Sequence, residues 1–353
     1  MQLKRAVWIV PFVASLFLTS LFYTEVRSES GNCKYEDDHL SVTYVSDESD
    51  RDKSDIYLVS AKGNVRVNMT SEDGGLNIKP AWSLNGVDMV FQSNRDGNWE
   101  IYFISNDEET NLTQSPGDDT NPTWSPDGSR IAFVSNRDGN RQLYIFNFAD
   151  GRVTRVITGQ KNNFGPLWSP DGHQIAFFDA LVDGKILLTD LATATTKTIV
   201  EMPETSELGW SPDGTQILFK SRADGDSDIY LLTIGTGEIV NLTNNSFDDF
   251  DPSWSPDGSK ILFTSDPDGK SQIYVMDHDG QNVKNLSSNN YNDTDGRWSP
   301  TGLSISFESY RESTDDEIIN SIYRMSPDGT NVLKLADHVM LFSSFWQPCR
   351  PKE

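Results

Sequence analysis

The chain has 353 residues, 29 Lys and Arg against 53 Asp and Glu, a net charge of −24 and two cysteines. So acidic a surface argues against nucleic acid or an anionic membrane as partner, and suits solubility, cations or a basic protein or peptide. The length would hold two domains, but internal repeats use nearly all of it, so one monomeric domain is expected.

Residues 1–28 differ from the rest. Lys4 and Arg5 precede an uncharged apolar run from Ala6 to Tyr23, and Val26-Arg27-Ser28 places small residues at the −3 and −1 positions of a cleavage site. That is the pattern of a secretory signal peptide, so a secreted, periplasmic or cell-envelope protein is expected. An uncleaved anchor is the alternative, because the run is just long enough to span a bilayer. Cleavage would leave 26 basic and 52 acidic residues. Residues 29–39 read as an irregular arm.

From Leu40 the chain reads as strands: Val42-Thr43-Tyr44-Val45, Asp55 to Val59, and Val65 to Thr70. A repeat then begins. Trp124-Ser125-Pro126-Asp127-Gly128 recurs at Trp168, Trp210 and Trp254, with looser copies at Trp82 and Trp298 and a truncated one at Trp346. Successive Trp are 42, 44, 42, 44, 44 and 48 residues apart. Ser-Pro-Asp-Gly has the composition of a tight turn. Nine residues after each of the six internal Trp comes Phe91, Phe133, Phe177, Phe219, Phe263 or Phe307, closing a short apolar run. Asp-Gly loops follow, as at Asp96-Gly97 and Asp138-Gly139, and mark hairpins. A third run carries Tyr102, Tyr144, Tyr230, Tyr274 or Tyr323; only the Trp168 repeat has Ile186-Leu187-Leu188 there. A more polar fourth run closes the unit.

Each repeat is therefore four short antiparallel strands, a to d, and the aromatic phases are expected to pack the core. A period near 42–44 residues with four strands is the signature of a β-propeller blade. Pro-x-Trp-Ser-Pro-Asp-Gly, followed by Ile-Ala-Phe, Arg-Asp-Gly and Ile-Tyr, resembles the WD-like propeller repeat of TolB and its relatives, over residues 40–348. That repeat also decorates peptidases and lyases, so the resemblance implies the fold more than a function. TolB itself, as the family is known, has six blades and an added α/β domain, for which this sequence has no room.

The ends complete the count. Residues 40–70 supply strands b, c and d without a Trp strand, and Ser344 to Pro348 supplies a strand a with nothing after it. The expected fold is an all-β, seven-bladed β-propeller at 40–349, closed by pairing the C-terminal strand with the N-terminal three, with a tail at 350–353. Cys33 and Cys349 flank that composite blade. An even cysteine count in an exported chain then points to a Cys33–Cys349 disulfide closing the ring.

The connections from strand d to the next strand a carry the candidate binding residues: Asp118 and Asp119, Asp249 and Asp251, Asp293 and Asp295. Glu204, Glu207, Asp73 and Asp337 fall in the equivalent loops. This register makes one channel mouth acidic, suited to a basic peptide or a hard cation such as calcium. No loop has a known calcium spacing, and Asp residues also serve as turn formers. Six Asn-x-Ser/Thr sequons occur, at Asn68, Asn111, Asn241, Asn244, Asn285 and Asn292; three recur in phase in strand d, which the repeat explains without glycans.

Catalytic signals are thin. The four histidines have no zinc spacing, and there is no Gly-x-Ser-x-Gly elbow, P-loop or dinucleotide fingerprint. The sequence favours a non-catalytic binding scaffold, with a carbohydrate-active lyase or hydrolase working in the channel as the alternative.

Overall fold

A computed structural model describes residues 40–46, 53–70, 74–156, 163–179, 184–313, 319–340 and 345–348. Seven four-stranded antiparallel sheets result. In the Trp124 blade the strands are Asp119–Trp124, Arg130–Ser135, Gln142–Asn147 and Arg152–Arg155, paired in the order a-b-c-d. The seventh sheet joins Phe345–Trp346 to Ser41–Ser46, Asp55–Ser60 and Arg66–Asn68. Its closing pairs are Val42 with Trp346 and Thr43 with Phe345. Thr43 Oγ1 also donates to the Phe345 carbonyl at 2.9 Å. The ring thus closes between the two ends of the chain. Cys33 and Cys349 lie outside the described residues, as do the expected signal segment and arm. No described helix is long and apolar enough to cross a membrane.

The aromatic phases explain why a blade holds. Tyr44, Phe91, Phe133, Phe177, Phe219 and Phe307 are among the largest fully buried side chains. The Tyr of strand c stacks on this ring within the blade, at 5.6 Å for Phe91 and Tyr102 and for Phe219 and Tyr230. Its hydroxyl then donates to the b–c loop carboxylate: Tyr102 to Asp96, Tyr144 to Asp138, Tyr230 to Asp224 and Tyr323 to Glu312. One residue therefore packs the core with its ring and clamps a loop with its polar tip.

Trp works between blades. Its indole N–H crosses the seam to the preceding blade, from Trp124 to the Ala81 carbonyl at 2.9 Å and from Trp168, Trp210 and Trp254 to those of Thr123, Leu167 and Gly209 at 3.3 Å. Trp346 makes the same bond to Arg297 at 3.2 Å, and Trp82 donates to Thr43 Oγ1 at 2.7 Å. Trp298 Nε1 is buried with no hydrogen-bond partner.

The Ser-Pro-Asp-Gly turns close on themselves. Gly128 N donates to the Ser125 carbonyl at 2.9 Å, and the Ser125 hydroxyl donates to Asp127 while accepting from Arg130 N. The bonds Asp127 accepts, first from the Ser125 hydroxyl and then from Ser129 N, hold its carboxyl down at about 2. The turns also nest around the ring: a Cβ on Gly172 or Gly214 would meet Pro126 or Pro170 of the blade before, at 3.5 and 3.4 Å. The phased sequon asparagines likewise have structural work. Asn111 accepts from Thr113 N and donates to Asp96, and Asn241 accepts from Thr243 N and donates to Asp228.

Candidate functional site at the channel mouth

The sequence reading put the candidate aspartates in loops. The structure puts all but Asp118 inside strand a, which begins at Asp119, Asp249 and Asp293 in the three blades. The reason is a bulge. Pairing between strands a and b slips between Thr120 and Thr123, Phe250 and Ser253, and Thr294 and Arg297. An unpaired residue there bends the strand and re-aims its side chain. Three positions before the Trp, the backbone is left-handed in all six internal blades: Lys79, Asn121, Gly165, Glu207, Asp251 and Asp295, with φ between 53° and 60°. Asn, Asp and Gly tolerate this conformation, whereas Lys79 and Glu207 hold it at a cost of about 1–2 kcal/mol each.

The bulge sorts the six candidates into two sets. Asp118, Asp119, Asp249 and Asp293 are used by the fold. Asp118 accepts from Trp99 N and Asn136 Nδ2, both at 3.2 Å, and ties two loops. Asp119 and Asp293 are fully buried and paired with Arg137 at 2.8 Å and Arg311 at 3.1 Å. Each guanidinium lies over its blade's Tyr, 5.0 Å from Tyr144 and 4.2 Å from Tyr323. Asn77 holds the equivalent place in the Trp82 blade and accepts from Arg95 at 2.9 Å. Asp249, also buried, accepts from Asn245 at 2.6 Å. Burial pushes the Asp119 and Asp249 carboxyls up to about 6.

Asp251 and Asp295 sit at the bulge, joined by Glu207 from the neighbouring blade. Glu207 accepts the backbone N–H of Asp251 at 2.6 Å, and Asp251 accepts that of Asp295 at 3.3 Å. Each carboxylate thus caps the next blade's left-handed residue, and three adjacent blades form one acidic arc. Two cations answer it: Lys220 at 2.6 Å from Glu207 and Arg297 at 2.5 Å from Asp295. Burial, with repulsion from Asp295 and Glu207, lifts Asp251 to about 7. Burial also raises Asp295 despite Arg297 beside it. Burial opposes the Arg297 charge, but Asp295, Asp251 and Glu207 outweigh it and strengthen its hold on the proton. Sequence reasoning named Glu207 only as a loop residue and missed Lys220 and Arg297. Aligning the six repeats on the third residue before Trp would have found the ring.

The other half of the ring opens onto a cavity of about 530 Å³. Lys79, Asn121 and Gly165 line it, and its wall is apolar: Pro80, Pro122, Pro166, Leu208 and Phe178. The mouth therefore pairs an acidic arc with an apolar hollow. Among the described residues no group of three or more His, Cys, Asp or Glu converges as metal ligands.

The family model of the TolB beta propeller domain matches residues 28–183 and 160–340. The chain belongs to this family. Among solved structures, a putative TolB from Agrobacterium tumefaciens is 29% identical over 67% of this chain and 86% of its own, with a TM-score of 0.53. TolB from Acinetobacter baumannii is 20% identical over 74% of this chain and 67% of its own, at a TM-score of 0.56. An oligogalacturonate lyase solved with manganese is 16% identical over 87% of this chain and 86% of its own, at 0.62. The last two likenesses carry the propeller fold alone. Comparison with curated proteins finds no match.

Proposed function

We propose that this TolB-family propeller is an exported, non-catalytic scaffold that binds a basic protein or peptide at the channel mouth. One observation carries the reading: Glu207, Asp251 and Asp295 form a continuous arc across three blades, beside an open apolar cavity. A basic side chain or terminal amine suits the arc, and an apolar residue next to it suits the hollow. The chain's net charge of −24 adds long-range attraction for such a partner. Export rests on residues 1–28 acting as a signal peptide, and a Cys33–Cys349 bond belongs to the same proposal.

The test uses a fluorescent peptide of one Trp and four Lys, with a Glu-for-Lys counterpart as control. The intact protein should bind the Lys peptide in a salt-sensitive way. Asp251→Asn with Asp295→Asn should weaken it about tenfold, the loss of two buried charges behind the exposed edge of the arc at Glu207. Equal binding of both peptides, or no change in the double variant, would sink the proposal.

A further inference from the structure

One blade departs from the acidity of the rest. Between Asp119 and Lys161 the sequence carries six basic and four acidic residues, while every other blade is net acidic. Strand d shows the change most plainly. It reads Arg152-Val153-Thr154-Arg155, where the Trp82 blade has Glu108-Glu109-Thr110-Asn111 and the Trp210 blade has Glu238-Ile239-Val240-Asn241. In a chain so acidic, three arginines from one blade meet at one groove.

That groove lies between the Trp124 and Trp168 blades and encloses about 410 Å³. Arg130, Arg152 and Arg155 line it, with Ile145, Val156 and Leu191 as its apolar floor. Arg130 is held flat: its guanidinium carbon sits 4.7 Å from the Trp168 ring centre, and it donates to the Gly172 carbonyl at 3.3 Å. Such a guanidinium is pre-ordered to present its remaining N–H groups. Its nearest carboxylate, Asp127, is 4.0 Å away.

The groove's two acids do not cancel these charges. Asp190 is turned into its own turn, accepting from Ala192 N at 3.1 Å and from Thr193 N and the Thr193 hydroxyl at 2.9 Å. Asp150 accepts from Arg152 N at 3.2 Å, and the Arg152 side chain, 79% exposed, stands 3.5 Å from it. Arg155 is 3.5 Å from Asp138. At 3.5 Å the Arg152 contact is loose for an ion pair, and so exposed a pair is weak. An oxyanion offered to the groove can exchange into the Arg152 pair at small cost.

We propose that this groove is a second binding site, distinct from the acidic mouth, for a small oxyanion carried on an apolar body. Arg152 and Arg155 meet the anion, Arg130 orients it, and Ile145, Val156 and Leu191 take the apolar part. The planar guanidinium fork matches either a carboxylate or a phosphate.

The test titrates the intact protein with phenyl phosphate, benzoate and inorganic phosphate, following backbone and Arg Nε–H resonances by NMR. Saturable shifts confined to the groove are expected with phenyl phosphate or benzoate, and the stronger of the two names the anion. Inorganic phosphate should bind several-fold more weakly, because it lacks the apolar part. Arg152→Gln with Arg155→Gln should reduce affinity about tenfold and leave the unfolding midpoint within about 1 °C. The surface change Arg152→Glu serves as a second variant and should cost about threefold. Asp251→Asn should bind as the parent does. The proposal falls if no groove resonance saturates, if the arginine variants bind as tightly as the parent, or if inorganic phosphate matches phenyl phosphate.

Discussion

Arg137→Ala offers a sharp test of the buried pairs under the mouth. Asp119 is fully buried, with a carboxyl at about 6 against an ordinary 3.8. At pH 7.5 the folded protein therefore already carries about 3 kcal/mol of cost for that charge, at about 1.4 kcal/mol per unit. Without Arg137 the pKa climbs, but the carboxyl escapes by taking a proton, which limits the total to about 5 kcal/mol at that pH. The charge contribution to the loss is then about 2 kcal/mol. Losing the guanidinium over Tyr144 adds about 1 kcal/mol. Arg137→Ala should thus cost about 3 kcal/mol at pH 7.5, the low end for breaking a buried pair. At pH 5 Asp119 is largely protonated in both proteins, so the cost should shrink to about 1 kcal/mol. Asp119→Asn, copying Asn77 of the Trp82 blade, should remove this pH dependence. Urea unfolding at both pH values checks it. An Arg137→Ala penalty equal at pH 7.5 and pH 5 would refute the reasoning.

Stability should rise as pH falls from about 7 to 4. Asp119, Asp249 and Asp251, lifted to about 6, 6 and 7, bind protons in the folded state while the unfolded chain is still ionised. Below about pH 4 the trend should reverse. Asp127, Asp171, Asp213 and Asp257 are held down by their turns, and the stability they give above their unfolded pKa is lost as they protonate. A thermal melt series from pH 2 to pH 8 with no maximum between them would contradict this. Gly329→Ala should cost more than about 2 kcal/mol, since its Cβ would fall 2.4 Å from the Leu286 carbonyl at φ +89°. Gly97→Ala, at φ +100° in open space, should cost about 1 kcal/mol by the same denaturation assay. Trp124→Phe loses a seam hydrogen bond that Trp298 does not make, so it should cost about 1 kcal/mol more than Trp298→Phe. Equal penalties in equilibrium unfolding would mean that the seam bonds carry no net stability.

The blade is a local object, and the sequence by itself determined it. The Trp, Phe and Tyr phases, the Ser-Pro-Asp-Gly turn and the Asp-Gly loops specify four strands through short-range sterics and alternation. Copying that unit with one period fixes a ring. The count of seven was legible too, because residues 40–70 lack the Trp strand that Phe345–Trp346 supplies. Which aspartates sit at the bulge was decided only by the tertiary structure. Asp249 and Asp251 are two residues apart and read alike, yet one closes the fold and the other stands on the arc. Only the left-handed bulge separates them, and it is held by bonds to residues some 44 positions away, as from Asp251 N to Glu207 and from Asp295 N to Asp251. The cations that answer the arc, Lys220 and Arg297, come from separate blades for the same reason. Charge composition gave the sign of the surface. Its division into an acidic mouth and an arginine-lined groove depends on distances that exist only once the ring has closed.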